Sequence, residues 1–318
     1  MKNSKELQKI LFTGLEDGGK TSILLILDKK FSLLPTVKPT IKAKRTFYTN
    51  SLLGIQITRW DLGGQKIYRK IYIDEKSKYF TETQSIFYVI DIQSRSKFEE
   101  ALIYLKDVVN IISENHIKNF QLLILLHKYD PDIKERSEII DDTRFLEIQI
   151  AKIVGSLKFS IYKTSIYDVP TLLKAFSDGV FFATQKSRMF QALLKDYMGK
   201  TFNSATLLLD QNCFIIAGRS TNENYQRICE EIAPRLTRAL EKLEEWSINT
   251  VDIITNIEFP EEHADFQKEG IIFLRKLDIT TTRFYLVALC LNKKVKIRSY
   301  EYLPLLADNL KNLLESFE

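Results

Sequence analysis

The chain has 318 residues, is 45% hydrophobic and 27% charged, and carries a formal net charge of +5. This is the composition of a globular chain long enough for two ordinary domains, and it excludes a collagen-like or disordered one. The small excess of cations is dispersed among acids, which predicts solvated surface and no nucleic-acid partner.

In chain order, residues 8–13 read as a buried strand running into Gly14-Leu15-Glu16-Asp17-Gly18-Gly19-Lys20-Thr21, and 20–31 as a helix rich in Ile and Leu. Residues 55–60 alternate and end at Asp61, as a strand does. Apolar strands follow at 85–91 and 121–126, with helical spacing at 98–113 between them. A strand at 157–162 and a helix at 169–183 complete this half. The alternation predicts an α/β fold, a mostly parallel sheet with helices on both faces and ligands at the carboxyl ends of its strands.

Beyond about residue 186 the rhythm changes. A helix is expected at 188–197, then strands at 205–209 and 213–217 joined by the turn Asp210-Gln211-Asn212. A long helix at 222–246, strands at 270–277 and 283–291, and a terminal helix at 303–317 follow. This predicts a C-terminal α+β unit with an antiparallel sheet, giving domains 1–186 and 187–318 with the boundary near 184–187. Cys213, Cys229 and Cys290 share no metal-ligand spacing and read as thiols of a reducing compartment. No apolar run approaches the ~18 residues of a membrane span. The first residues hold no signal core, Lys2 excludes N-myristoylation, and the final Glu-Ser-Phe-Glu is no prenylation box. The expectation is a cytoplasmic protein that reaches membranes only through partners.

Four short motifs fall in one order. The first matches the phosphate-binding pattern G-x-x-x-x-G-K-[ST]. Gly14, Gly18 and Gly19 let successive backbone N–H groups curl around the α- and β-phosphates, and the helix behind them, with Ser22 in its first turn, adds its positive dipole end. Lys20 is placed to reach the β- and γ-phosphates, and the Thr21 hydroxyl to bind Mg²⁺. The second motif is Thr40, whose hydroxyl is expected on Mg²⁺ and whose backbone is expected on the γ-phosphate. Pro35-Thr36 offers the same pair of residues as Pro39-Thr40, and spacing to Asp61 favours Thr40. In the third motif, Trp60-Asp61-Leu62-Gly63-Gly64-Gln65, Asp61 supports Mg²⁺ and Gly64 approaches the γ-phosphate. Gln65 orients the attacking water, so Gln65 and Lys20 are the expected catalytic pair. By itself this motif reads equally as a turn after a strand.

The fourth motif is His127-Lys128-Tyr129-Asp130. Asp130 is placed to accept hydrogen bonds from guanine N1–H and the 2-amino group, donors that adenine lacks. Lys128 packs its stem along the base. His127 stands where Asn is usual, and a histidine supplies one ring N–H rather than an amide's donor and acceptor. The other reading of His127 is a capping or core histidine with no nucleotide role. Lys163-Thr164-Ser165-Ile166, after the next strand, resembles the loop whose backbone N–H meets guanine O6, which makes Ser165 and Ile166 candidate base contacts.

His-Lys-x-Asp, together with Thr164-Ser165-Ile166-Tyr167-Asp168 after the following strand, resembles the Rag/Gtr GTPases of the Ras superfamily. The best local match in the second half is 205–217. The resemblance implies a Ras-like P-loop NTPase domain followed by a roadblock (longin-like) domain. It also implies GTP/GDP and Mg²⁺ as cofactors, GTP hydrolysis, and dimerisation with itself or a second Rag-like subunit through the C-terminal domain; hydrolysis is expected to be slow because no arginine is identifiable as a cis finger. Effectors, activator and exchange factor are not identified by it. Gly14-Leu15-Glu16-Asp17 departs from Rags and resembles the P-loop of Arf-type GTPases, with Glu16 and Asp17 expected to face solvent. A nucleotide-binding scaffold without turnover, acting through the roadblock half, is the alternative. An adenine-nucleotide P-loop enzyme is disfavoured by Asp130.

Overall fold

The computed structural model describes residues 6–52, 55–114, 120–181, 185–259, 269–279 and 282–316. The chain divides into two compact units, Met1–Ala175 and Phe176–Glu318. The division falls within a helix, Val169–Val180, whose last residues pack in the second unit: Phe176 lies against Phe214, and the Ser177 hydroxyl accepts from the backbone N–H of Ile215. Ala183, Thr184 and Phe317, which figure in the expected helix ends and boundary, lie outside the described residues.

The first unit is a six-stranded sheet built from β1 (Glu6–Gly14), β2 (Ala43–Leu52), β3 (Ile55–Leu62), β4 (Thr83–Asp91), β5 (Gln121–His127) and β6 (Phe159–Thr164). Its order is β2-β3-β1-β4-β5-β6, with β2 antiparallel to β3 and every other pairing parallel. β4 and β5 are buried almost throughout because helices cover both of their faces. These helices are α1 (Lys20–Leu27), α2 (Lys66–Asp74), α3 (Lys76–Phe80), α4 (Phe98–Glu114), α5 (Ser137–Val154) and α6 (Val169–Val180). Tyr104, Leu105 and Val108 of α4 and Leu146 and Ile150 of α5 join Tyr88, Ile90, Ile124 and Leu126 in one core.

Two departures from the expected bounds in the first unit have a clear local cause. α1 stops at Leu27 rather than 31 because Asp28 is held by Arg59 (2.7 Å), Lys29 turns to φ 56, and a 3₁₀ turn, Phe31–Thr36, follows. β6 begins two residues late because Gly155, at φ 62, ends α5 and Leu157 still bonds back to Val154.

The second unit holds an antiparallel sheet of β7 (Ala205–Asp210), β8 (Ile215–Ser220), β9 (Asp252–Glu258), β10 (Glu269–Ile279) and β11 (Thr282–Cys290), in the order β8-β7-β11-β10-β9. Alternate residues (Leu207, Leu209, Ile272, Leu274, Tyr285, Val287) pack with Cys229, Ala233 and Leu240 of α8 (Glu223–Glu245). The opposite face meets α7 (Gln185–Thr201) and α9 (Lys296–Glu315), as where Phe273 lies against Tyr300. A closed buried network ties those two helices together. Asn203 Nδ2 donates to Tyr197 Oη, Tyr197 to the Ser299 carbonyl, and Ser299 Oγ to Asn203 Oδ1. The three cysteines are buried and free.

Candidate functional site

β1 delivers the glycine loop to the carboxyl edge of the first sheet. Gly14 sits at φ 137, where a Cβ would lie 2.3 Å from the Val89 carbonyl, so only glycine fits. Gly18 is buried, and Gly19, at φ 89, is the N-cap of α1. Glu16 and Asp17 are exposed, and Asp17 pairs with Lys97 (3.5 Å). Lys20 turns inward: its Nζ donates to the Leu15 carbonyl (2.6 Å) and the Gly14 carbonyl (3.2 Å). Burial lowers its pKa to about 8, against the opposing pull of Asp61 and Asp17. An ammonium held by loop carbonyls in a desolvated position gains from an arriving phosphate.

The Thr21 and Thr40 hydroxyls lie 2.8 Å apart and reach the same oxygen, Asp61 Oδ2, at 2.7 and 3.0 Å. Asp61 Oδ1 is buried and has no hydrogen-bond partner. Two hydroxyls and a buried carboxylate with an unspent oxygen form a hard-oxygen set that fits a divalent cation such as Mg²⁺. Thr36, the other candidate, donates instead to the Leu33 carbonyl within its own turn.

β3 carries Asp61 and runs into Gly63 and Gly64. A Cβ on Gly63 would lie 2.4 Å from the Thr40 carbonyl, and one on Gly64 would lie 2.1 Å from the Glu16 nitrogen. The missing side chains let this loop touch both the Thr40 segment and the glycine loop. Gln65 is half-buried as the N-cap of α2. Thirteen residues, Ser22, Gly64, Gln65 and Lys128 among them, line a cleft of about 250 Å³ running over Lys20 and Thr21 to Thr40.

Around the fourth motif, Asp130 Oδ1 accepts from Ser165 Oγ (2.5 Å) and Oδ2 from Gln93 Nε2 (2.9 Å). Gln93 also donates to the Lys128 carbonyl (2.8 Å). Lys128, at φ 62, pairs through Nζ with Asp91 (2.7 Å). Ile166 is half-buried in the turn closed by the Ser165–Asp168 bridge.

His127, at the end of β5, is buried, with Nδ1 3.0 Å from Thr164 Oγ1 on β6. Its ring presses on the glycine loop, because a Cβ on Gly19 would lie 2.6 Å from His127 Cδ2. Burial, and then the Lys128 charge, push its pKa down to about 4, so the ring is neutral. The imidazole thus bridges β6 and the glycine loop.

Sequence reasoning missed Gln93, Asp91 and Arg69. Asp91 Oδ1 accepts from the Gln93 N–H, an Asx turn that Asp-Ile-Gln-Ser after a strand could have signalled. Arg69 is buried; its Nε donates to the Gly64 carbonyl (2.8 Å), its guanidinium pairs with Glu100, and it lies over the Tyr104 ring.

A family model described as the Gtr1/RagA G protein conserved region matches residues 9–244, which spans the first unit and reaches nearly to the end of α8. Among solved structures, the Arl6 BBS3 small GTPase from Trypanosoma brucei with bound nucleotide analogue GppNp is similar at 15% identity and a TM-score of 0.42. That likeness covers 54% of this chain and 94% of that one.

Proposed function

The chain belongs to the Gtr1/RagA G-protein family, and on that premise we propose that it binds GTP with Mg²⁺, hydrolyses it slowly and pairs with a second subunit through its C-terminal domain. The observation that carries the first part is the meeting of the Thr21 and Thr40 hydroxyls on Asp61 Oδ2, while Asp61 Oδ1 stays buried and unpartnered. Thr21 and Thr40 would hold the metal with support from Asp61. When bound, the cation neutralises charge on the β- and γ-phosphates. Lys20 shares that task from the loop, and the Gly64 backbone meets the γ-phosphate. Gln65, at the mouth of the cleft, orients the attacking water. Asp130 reads the guanine edge, held in place by Ser165 and Gln93.

Thr40 lies on a loop and is held by hydroxyl contacts to Thr21 and Asp61. Loss of the γ-phosphate removes the reason for that loop to stay, and the nucleotide state becomes readable by a partner. Slow turnover is proposed because Arg69, which touches the Gly64 loop, is committed to Gly64 and Glu100. Pairing is supported in the second unit by exposed apolar residues around β9: Ile254 at 51%, Val251 at 51% and Trp246 at 68%. We place the protein in the cytoplasm, with membrane contact supplied by partners. Among the described residues no helix is long and apolar enough to cross a membrane.

The test is a titration of fluorescent GTP, GDP and ATP with and without Mg²⁺, followed by single turnover of GTP. Guanine-selective, Mg²⁺-strengthened binding with slow release of phosphate is the expected result. Binding blind to the base would sink the reading. Tight binding with no phosphate released over hours would leave a scaffold in its place.

A further inference from the structure

The expected dispersal of cations among acids fails in one stretch: residues 29–73 contain ten Lys and Arg against a single acid, Asp61. The segment nets +9 while the whole chain nets +5, so everything outside it nets −4. Two of the ten are internal, Arg59 with Asp28 and Arg69 with Glu100. Lys38, Lys42, Lys44, Lys66 and Lys70 are exposed and have no ion pair among the described residues. Between them stand Ile41 at 71% exposure, Ile67 at 67% and Phe47 at 62%.

These residues adjoin. The Gly63 N–H donates to the Lys42 carbonyl (2.9 Å), and α2, bearing Lys66, Ile67 and Lys70, starts three residues later. Uncompensated like charges repel one another, and exposed aliphatic groups of this size mark contact surfaces. We propose that this face, formed by the Thr40 segment, β2 and α2, docks an acidic, partly apolar segment of a partner protein. The proposal rests on the nucleotide-switch reading, because the face is made from the two segments that meet the γ-phosphate.

A protein fits better than a lipid surface or a nucleic acid. β2 is the edge of its sheet, so its outward N–H and C=O groups need hydrogen-bonding partners that lipid tails cannot give. The exposed apolar groups are mostly aliphatic, and Ile41 and Ile67 offer no stacking platform for bases. Acidic side chains beside apolar ones on a polypeptide satisfy all three needs.

Selection of random displayed peptides tests it, using the full chain loaded with GppNp and a Lys66→Glu/Lys70→Glu variant for counter-selection. Both lysines are exposed, so the variant keeps the fold. The expected winners carry net negative charge with interspersed apolar residues, bind wild type about ten-fold more tightly than the variant, and weaken with salt. Neutral or basic winners, or equal binding to both proteins, overturn the proposal. Binding of vesicles of equal parts phosphatidylcholine and phosphatidylserine, with no acidic peptide enriched, overturns it in favour of a membrane surface. Uptake of GppNp is measured first. Its failure counts against the nucleotide-switch reading, and the same selection on the unloaded chain then decides for or against the surface.

Discussion

At the proposed phosphate and metal motifs Asp61 keeps one buried oxygen without a partner, whereas at the proposed base-reading motif both oxygens of Asp130 already accept hydrogen bonds, from Ser165 and Gln93. Lys20 likewise rests on loop carbonyls, while Lys128 is paired with Asp91. The phosphate end is therefore incomplete until charge arrives, and the base end is held in shape by the protein alone. The difference follows from what each must do. A phosphate and a cation bring strong charges that complete the site themselves. A base offers two weak donors, which are read only by a carboxylate fixed beforehand.

The comparison can be broken most forcefully at the base end. Asp130→Asn is expected to lower GTP affinity on the order of 1,000-fold, since two hydrogen bonds to a charged acceptor are lost, while leaving the fold intact. An unchanged dissociation constant by equilibrium titration would remove Asp130 from base reading. Gln65→Leu is expected to slow single-turnover hydrolysis about 100-fold with binding unaltered, by misplacing the water. Turnover equal to wild type would remove Gln65 from the mechanism. Thr21→Ala should cost roughly 10- to 100-fold in affinity with Mg²⁺ present and little in EDTA. Equal losses in both buffers would mean that the hydroxyl serves the fold and not the metal. Gln93→Ala, which frees one oxygen of Asp130, should speed GDP release about five- to ten-fold, the effect of one hydrogen bond to a charged group. Stopped-flow release at the wild-type rate would show that Ser165 holds the carboxylate unaided.

The smallest expected effect concerns His127. Its folded pKa of about 4 lies below the ordinary value of 6.5. The unfolded chain therefore binds the proton first, and the stability contributed by the neutral ring is present above about pH 6.5 and lost as pH falls toward 4. His127→Asn should flatten that part of the stability profile. Denaturation midpoints at pH 7 and 5 that differ equally in both proteins would contradict the assignment.

The parts legible in the sequence are those where burial demands a continuous apolar run or backbone geometry demands glycine. β4 and β5 each hold an unbroken apolar run, residues 86–90 and 122–126, and Gly14 and Gly19 hold positive φ. Thr40 could be preferred to Thr36 from its spacing to Asp61. α2 escaped notice because its buried positions are Arg69 and Tyr72, and an arginine in a core carries no hydrophobic period. α5 was missed although it lies against α4, because its exposed face interleaves Ile140, Phe145 and Ile148 with charges. β9 is a half-buried edge with a blurred alternation. α9 starts seven residues earlier than its pattern suggests because Ser299 is buried by hydrogen bonds to Asn203 and not by apolar packing. The reach of Gln93 to Asp130 spans two loops far apart in sequence, and no local pattern encodes it.

The contact between Gly19 and His127 makes the two ends of the cleft mechanically dependent. A ring wedged against the glycine loop on one side and bonded to β6 on the other works as a hinge pin. On the proposed reading, a partner that moves the glycine loop also removes one support of the ring from which the fourth motif begins, so a grip on either loop would be felt at the other.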